Sequence, residues 1–230
     1  MTRRRLSPDQ RRAAILAAAR DLFGRSPYAA VSMAEIAAAA GVTAPLIVFY
    51  YGSKQSLYLE VIHAAADTVR AGLQSIPGPP SLTRLHESAL YYARYAEKHR
   101  TGFLSLLRSS QEAALPETAA LIEDLRAEIC AQILADLATA DPPTATDAPV
   151  DTDDPAVVVA LRGYLGFVDA TIVHWLSLPD DRFAQIAPET IARLAVGAFT
   201  GSLNGLRAPA APDPASPNPL SRELHQPTEQ

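Results

Sequence analysis

The chain has 230 residues, a net charge of −5 at neutral pH and one cysteine. A single cysteine excludes an internal disulfide and is typical of a protein from a reducing cytoplasm. Cys130 lies in a predicted helix, where a lone thiol is either a small buried hydrophobe or a redox sensor. No apolar run reaches the ~20 residues of a membrane span, so we expect a soluble, cytoplasmic protein without membrane contact.

The first 54 residues are basic although the chain as a whole is acidic. They contain eight lysines and arginines and three acidic residues, a local charge of +5, so the remainder carries −10. Attraction for phosphate is therefore concentrated at this end of the chain. Residues 1–6 include Arg3, Arg4 and Arg5. This basic arm is either solubilising charge or a contact to a nucleic-acid groove or backbone.

Two capping signals place the first helices. Ser7 as N-cap, Pro8 at the first helical position and Gln10 reaching back to Ser7 form a capping box that predicts a helix over residues 8–24. Ser32 and Glu35 have the spacing of a capping box, in which each side chain bonds a backbone amide of the other residue. The second helix is therefore expected to begin at Met33.

A sharp turn follows the second helix. Gly41 can adopt the left-handed backbone that ends a helix and reverses the chain without a Cβ clash. Thr43 is the expected N-cap of a third helix, and Pro45 falls in its first turn, where a missing N–H is tolerated. Residues 32–57 therefore predict a helix-turn-helix. The alternative is an alanine-rich hairpin inside an unrelated helical bundle.

The third helix has a mostly apolar start, which suits contact with thymine methyl groups better than hydrogen bonding to bases. After Gly52 breaks it, Ser53 caps the next helix and Lys54 lies in the first turn. A cation in that position opposes the helix dipole, so we expect Lys54 to serve a phosphate held at the helix N-terminus.

These motifs resemble the TetR family of transcriptional repressors. The resemblance rests on the turn at residues 41–43, on the run Phe-Tyr-Tyr-Gly-Ser-Lys at residues 49–54 and on Leu57. Pro45 and Val48 differ from the usual family residues, which are Gly and Tyr. The resemblance implies that the family's backbone contacts fall on Thr43, Tyr50 and Lys54, and that residues 44–49 approach the bases. The predicted DNA-contact set is Ser32, Thr43, Ala44, Pro45, Leu46, Phe49, Tyr50 and Lys54.

Apolar periodicity predicts a helical body beyond this unit. Further helices are expected over residues 53–76, 81–98, 101–113, 116–140, 154–178 and from Pro188 onward. The expected fold is all-α with about nine helices: a DNA-binding domain at residues 1–52 and a ligand-binding and dimerisation domain at residues 53–207. Residues 141–153 are rich in Pro, Thr and Asp and predict a flexible loop, and residues 208–230 predict a disordered tail.

The last two long helices each carry two apolar faces. A protomer core can cover one face of each helix, so a two-fold partner is the expected cover for the second face. TetR-like proteins are similar in dimerising through their last two helices. The predicted interface residues are Leu161, Leu165, Val168, Ile172, Phe199 and Leu203.

No nucleophile elbow, dinucleotide motif, Walker loop or Cys/His ligand spacing is present, so we expect neither an enzyme nor a metal or cofactor site. Aromatic residues in the body, with His99 among their polar neighbours, are instead typical of an apolar ligand pocket or, residue by residue, of an ordinary core. Resemblance to TetR-like repressors favours the pocket and implies a small-molecule inducer. The predicted pocket residues are Tyr91, Tyr92, Tyr95, Phe103, Phe167, Trp175 and His174.

Two functions are consistent with these patterns. The first is a homodimeric regulator, expected to be a repressor, that binds a palindromic double-stranded DNA operator and is released by the inducer. The second is a soluble helical ligand-binding protein or enzyme with a vestigial helix-turn-helix. The basic charge of the first 54 residues favours the regulator.

Overall fold

A computed structural model describes residues 7–109, 116–139 and 151–206, and the regular structure in this part of the chain is all helical. The predicted all-α class is confirmed. The helices are α1 (Pro8–Arg25), α2 (Met33–Ala40), α3 (Ala44–Tyr51), α4 (Lys54–Gln74), α5 (Leu82–Lys98), α6 (Arg100–Ser109), α7 (Pro116–Thr139), α8 (Pro155–Ser177), α9 (Asp180–Phe183) and α10 (Pro188–Gly205), with a 3-10 turn at Tyr28–Ala30. The described residues thus hold ten α-helices where about nine were expected, because the short α9 forms between the helices predicted over residues 154–178 and from Pro188 onward. The basic arm, residues 141–150 of the predicted loop and the tail lie outside the described residues.

Helices α1, α2 and α3, with the start of α4, form an N-terminal unit around one core. Both predicted capping boxes are present, and Ser7 and Ser32 each accept a hydrogen bond from the backbone N–H three residues later. Ile15, Ile36 and Ile47, one from each of the first three helices, are fully buried in this core. Local caps and one shared core therefore set the angles between these helices.

The remaining helices form a body around two further cores. Helix α10 packs against α5 and α8, and α8 also contacts α6 and α7. Leu161 and Phe199 join α8 to α10 in one core, and Trp175 lies at the centre of the other. Helix α8 is thus the central element of the body.

Helix α8 is more apolar than the sequence analysis expected. Within the described residues it is the one straight helix long and apolar enough to cross a membrane by length and composition, whereas no such run was expected. Only 22% of its most apolar window is buried. The low burial of α8 follows from its two apolar faces. One face packs on α5 and α10, and the other face remains on the surface.

Helices α6 and α7 of the body pack against the N-terminal unit. Leu106 and Leu121 pack against the core of the N-terminal unit. The backbone N–H of Tyr28 donates to Ser105 Oγ at 3.4 Å, and Gln55 Nε2 donates to a Glu117 carboxylate oxygen at 2.6 Å. The N-terminal unit is therefore packed on the body rather than joined to it by α4 alone.

Candidate nucleic-acid interface and ligand cavity

The turn between α2 and α3 has the geometry of a helix-turn-helix. The two helix axes are bent by 98°, and Gly41 takes the left-handed conformation with φ of 66°. The N–H of Val42 donates to the Ala37 carbonyl at 3.0 Å and closes the end of α2. Ile47 and Tyr51 turn the inner face of α3 into the core, and the Tyr51 hydroxyl donates to the Arg12 carbonyl at 2.9 Å. The orientation of α3 is therefore determined by packing on both α1 and α2.

The outer face of α3 is apolar and open to solvent. Phe49 is 79% exposed and Val48 is 50% exposed, and Pro45 is exposed beside them. Thr43 is the N-cap as predicted, but its side chain makes no capping hydrogen bond. Val48 is absent from the predicted contact set, although its spacing from Pro45 puts it on the same helix face.

Three other predicted contact residues are less exposed, and Ser32 is exposed but already hydrogen-bonded. Ala44, Leu46 and Tyr50 are half-buried, and the Tyr50 ring meets the Phe49 ring edge-on at 5.3 Å between centroids. Ser32 is exposed, yet its hydroxyl is occupied by the capping bond from the Glu35 amide at 3.2 Å. Pro45, Val48 and Phe49 are thus the side chains that project furthest from this face.

Lys54 lies beside that face at the N-terminus of α4. Its ammonium nitrogen is 4.3 Å from the centre of the Tyr28 ring, a distance suited to a cation–π contact. Partial burial lowers the pKa of Lys54, and the nearby Glu35 carboxylate acts in the opposite direction. Ser53 caps α4, since its hydroxyl accepts the Ser56 N–H at 3.0 Å. The ring holds the lysine next to backbone amides that point out of a helix N-terminus.

A half-open cavity of about 1040 Å³ lies between the helices of the body and the N-terminal unit. Helices α1, α4, α5, α6, α7, α8 and α10 all contribute to its wall, which is mainly apolar. Of the predicted pocket residues, Tyr92, Tyr95 and Phe103 line it, and Tyr92 and Phe103 meet edge-on with centroids 5.5 Å apart. The structure thus brings three of the seven predicted side chains together.

Four predicted pocket residues do not line this cavity. Trp175 is 2% exposed, and its ring N–H donates to the Ile186 carbonyl at 3.0 Å, so it is a core residue. Phe167 and His174 point to solvent from the far side of α8. The Tyr91 ring packs over Gly72 of α4 and its hydroxyl donates to the Thr68 carbonyl at 3.3 Å. These four residues lie on α5 and α8, which both border the cavity, but their side chains do not line it.

The cavity contains a charged pair that sequence reasoning missed. Arg126 of α7 donates from Nε to Asp169 Oδ2 of α8 at 2.9 Å. Burial raises the pKa of Asp169 despite this partner, and burial likewise raises the pKa of Tyr92, with the Asp169 charge adding to the effect. The two residues are 43 positions apart, so no local pattern could have paired them. They add a partly buried polar pair to a mainly apolar wall.

The predicted dimer residues lie inside the protomer. Leu161, Ile172, Phe199 and Leu203 are buried in its own cores, and the half-buried Leu165 and Val168 pack against those cores and line the cavity. A partner cannot reach the buried four without unpacking the body. The prediction chose the inward face, because periodicity alone does not tell which of two apolar faces packs on the neighbouring helices.

The exposed apolar face of α8 and α10 is formed by other residues. Val159 is 72% exposed, Leu194 is 47% exposed and Phe167 is 42% exposed. Glycines on both helices share this outward side, and a Cβ atom at any of them would meet nothing within 4 Å. We call this surface the α8/α10 face, and its members are Val159, Gly163, Gly166, Phe167, Leu194, Gly197 and Gly201.

Comparisons with known proteins agree with this architecture. The family model described as "Bacterial regulatory proteins, tetR family" matches residues 15–61, which contain the helix-turn-helix. The model described as "Tetracyclin repressor-like, C-terminal domain" matches residues 82–158 of the body. Both matches follow the chain order of the two parts seen in the structure.

Individual relatives match in the same way. The HTH-type transcriptional activator FasR of Mycolicibacterium smegmatis is 29% identical over 139 residues, which is 60% of this chain and 63% of FasR. The HTH-type transcriptional regulator EthR of Mycobacterium tuberculosis is 33% identical over 79 residues, which is 34% of this chain and 37% of EthR. The chain therefore spans less than two thirds of the length of either curated relative.

A solved structure extends the likeness to the whole fold. The crystal structure of a tetR-family transcriptional regulator from Streptomyces coelicolor has a TM-score of 0.70 and 24% identity, and the match covers 95% of this chain and 96% of that one. With both domain models matched and this fold shared, the chain belongs to the TetR family of bacterial regulatory proteins.

Proposed function

We propose that this protein is a homodimeric transcription regulator that binds a palindromic DNA operator and is released from it by a small molecule. The observation that carries the proposal is the outer face of α3. Its side chains project into solvent although they are apolar, and Phe49 alone is 79% exposed. An exposed phenylalanine within an apolar patch on a short helix indicates a surface that a partner covers. A DNA major groove accepts a helix of this kind.

Charge supports the same partner. The first 54 residues carry +5 while the rest of the chain is acidic. Lys54, held by Tyr28 at the N-terminus of α4, adds a cation and free amides beside the exposed face. In this arrangement the basic side of the N-terminal unit faces the phosphates, while the acidic body is repelled and remains outside the groove.

The α8/α10 face supports the homodimer. It is apolar, continuous over two adjacent helices, and has glycines that leave open space for a second helix pair to approach closely. A second copy offers the same surface, so a two-fold contact would produce a four-helix interface. Two α3 helices in such a dimer could occupy successive major grooves, about 34–36 Å apart, which requires a palindromic operator.

The cavity supports release by a small molecule. Its wall is shared between α1 of the N-terminal unit and the helices of the body. A ligand that binds better to one arrangement of these parts must change the fraction of protein able to bind DNA. We expect the ligand to lower DNA affinity, as for a repressor. FasR is named an activator, so reporter assays with the operator placed upstream of the promoter and, separately, between promoter and gene determine the sign.

Selection from random duplexes tests the proposal. The purified full chain is mixed with a pool of random DNA, bound duplexes are sequenced through several rounds, and the best sequence is titrated with salt. We expect one inverted repeat whose affinity falls steeply with salt, because several phosphates are neutralised. No enrichment by a folded, ligand-free protein would contradict a DNA-binding role. That result would favour a soluble helical ligand-binding protein or enzyme built around the cavity.

A further inference from the structure

We propose that the cavity binds an apolar molecule that bears an anionic group, with Arg20 and Lys98 as the residues that hold the anion. The inference rests on the proposed function, in which this cavity is the regulatory ligand site. It adds the chemical class of the ligand and the place where its charge lies.

The charges that line the cavity do not balance. Six permanent cations and four carboxylates contribute to the described wall. Each carboxylate is already paired with one of the arginines. The pairs are Asp21 with Arg25, Glu128 with Arg70, Asp136 with Arg84 and Asp169 with Arg126. Arg20 and Lys98 are the two lining cations that have no acidic partner among the described residues.

The two unpaired cations lie at the same end of the cavity. Arg20 is on α1 and Lys98 is the last residue of α5, followed by His99, which also lines the wall. The His99 ring lies 4.5 Å from the Tyr95 ring. Burial lowers the pKa of His99, and the charges of Lys98 and then Arg20 lower it further, so both cations are close enough to act on one imidazole. An anion beside His99 would therefore be attracted by both.

The rest of the wall determines the body of the ligand. Beyond this end, the lining is largely aliphatic and aromatic, and its remaining charges are neutralised in pairs. A bare inorganic ion would leave that surface empty. The volume, about 1040 Å³, lies just above the roughly 300–1,000 Å³ range of small-molecule sites. The cavity therefore suits a large apolar molecule with a carboxylate, sulfonate or similar group at one end.

The position of the anion also links the two parts of the protein. Arg20 belongs to the N-terminal unit, whereas Lys98 belongs to the body. An anion between them adds one attraction across the junction that is absent without ligand. This contact gives the ligand a way to favour one relative position of the two parts, which is the differential affinity that allosteric release requires.

Two dyes of nearly the same shape test the charge. 8-Anilinonaphthalene-1-sulfonate carries a sulfonate, and N-phenyl-1-naphthylamine has the same ring system without it. Both become fluorescent in apolar cavities, so their affinities for the full chain are measured by titration. The variant with Arg20→Gln and Lys98→Gln removes the two cations. The matched control, Arg182→Gln with Arg193→Gln, removes two exposed charges that do not line the cavity.

We expect the Arg20/Lys98 variant to bind the sulfonate dye roughly tenfold or more weakly, since two charge-assisted contacts are lost. Its affinity for the neutral dye should be unchanged, as should both affinities of the control variant. Arg20→Lys should retain most of the sulfonate binding. Thermal melting confirms that each variant is folded.

Equal affinity of wild type and the Arg20/Lys98 variant for the sulfonate dye would overturn the proposal. So would an equal loss for both dyes, because it would indicate a collapsed cavity rather than a lost charge contact. Failure of either dye to bind the wild type would overturn both the proposal and the ligand-binding part of the proposed function. DNA selection is independent of that result, so the two failures are distinguishable.

Discussion

Helices α1 and α6 cross at Gly24 and Gly102, so closely that a Cβ atom on Gly102 would lie 3.0 Å from the Gly24 Cα atom and 3.1 Å from the Phe23 carbonyl oxygen. Both neighbours are backbone atoms, which cannot rotate away. This crossing therefore joins the N-terminal unit to the body by direct backbone contact. A Cβ atom on Gly24 itself would meet nothing within 4 Å.

The first prediction uses this asymmetry. Gly102→Ala should force α6 away from α1, whereas Gly24→Ala should fit in place. Each alanine gains a similar helix propensity, so the difference in unfolding free energy between the two variants reports the crowding, about 1–3 kcal/mol. Urea denaturation measures it. Equal stability of the two variants would show that the helices separate without cost.

The second prediction concerns Lys54. Lys54→Ala should weaken binding to all DNA sequences and reduce the slope of log affinity against log salt by roughly one phosphate contact. Arg193→Ala removes an equally charged residue from α10 and should leave the slope unchanged. Fluorescence anisotropy at several salt concentrations measures both slopes. A wild-type slope in the Lys54 variant would remove this residue from the DNA contacts.

The third prediction concerns base recognition by α3. Val48 and Phe49 offer no hydrogen-bond donors, so the thymine C5-methyl group is the base feature that they can contact. Replacing thymine by uracil in the contacted half-site should cost about 0.8 kcal/mol per methyl group, roughly a fourfold loss of affinity.

The matching protein variant is Phe49→Ala, which should bind more weakly and lose its preference for thymine over uracil. Affinities for the two duplexes with each protein complete a double-mutant cycle. If the variant distinguishes the duplexes as well as the wild type does, Phe49 does not contact the methyl groups.

The fourth prediction concerns the α8/α10 face. Phe167→Glu and Leu194→Glu place charges on a surface that is already exposed in the protomer, so they should produce a folded monomer. Ala135→Glu puts the same charge on an exposed site of α7 and should not affect assembly. Sedimentation equilibrium measures the mass of each. A dimer of the Phe167 or Leu194 variant would place the interface elsewhere.

The fifth prediction separates the core from the cavity. Trp175 donates to the Ile186 carbonyl and packs on Phe183, with ring centroids 5.0 Å apart. Trp175→Phe should therefore lower stability by about 1–3 kcal/mol, because the carbonyl loses its buried donor. Binding of the neutral dye described above should be unchanged, since Trp175 does not line the cavity. A loss of dye binding without a loss of stability would show that Trp175 contributes to the ligand pocket.

The helix caps and the turn between α2 and α3 could be predicted from the sequence. The capping boxes at Ser7 and Ser32 and the left-handed Gly41 involve residues at most a few positions apart, so their geometry follows from spacing and residue type. The helix-turn-helix, the body helices and the all-α class followed from the same short-range rules. The family likeness also rests on these local motifs.

The tertiary structure determines which apolar face of each helix is buried and which is exposed to solvent. Leu161 and Phe199 have the same periodic spacing as exposed neighbours, and only the packing of α8 and α10 on each other and on α5 shows that they are internal. The wall of the cavity likewise combines Arg20 and Lys98, which come from helices far apart in the chain. The sequence by itself determined the helices and their caps, because these depend on contacts within one or two turns. Only the packed structure decided the ligand cavity and the exposed α8/α10 face, because these depend on contacts between distant segments.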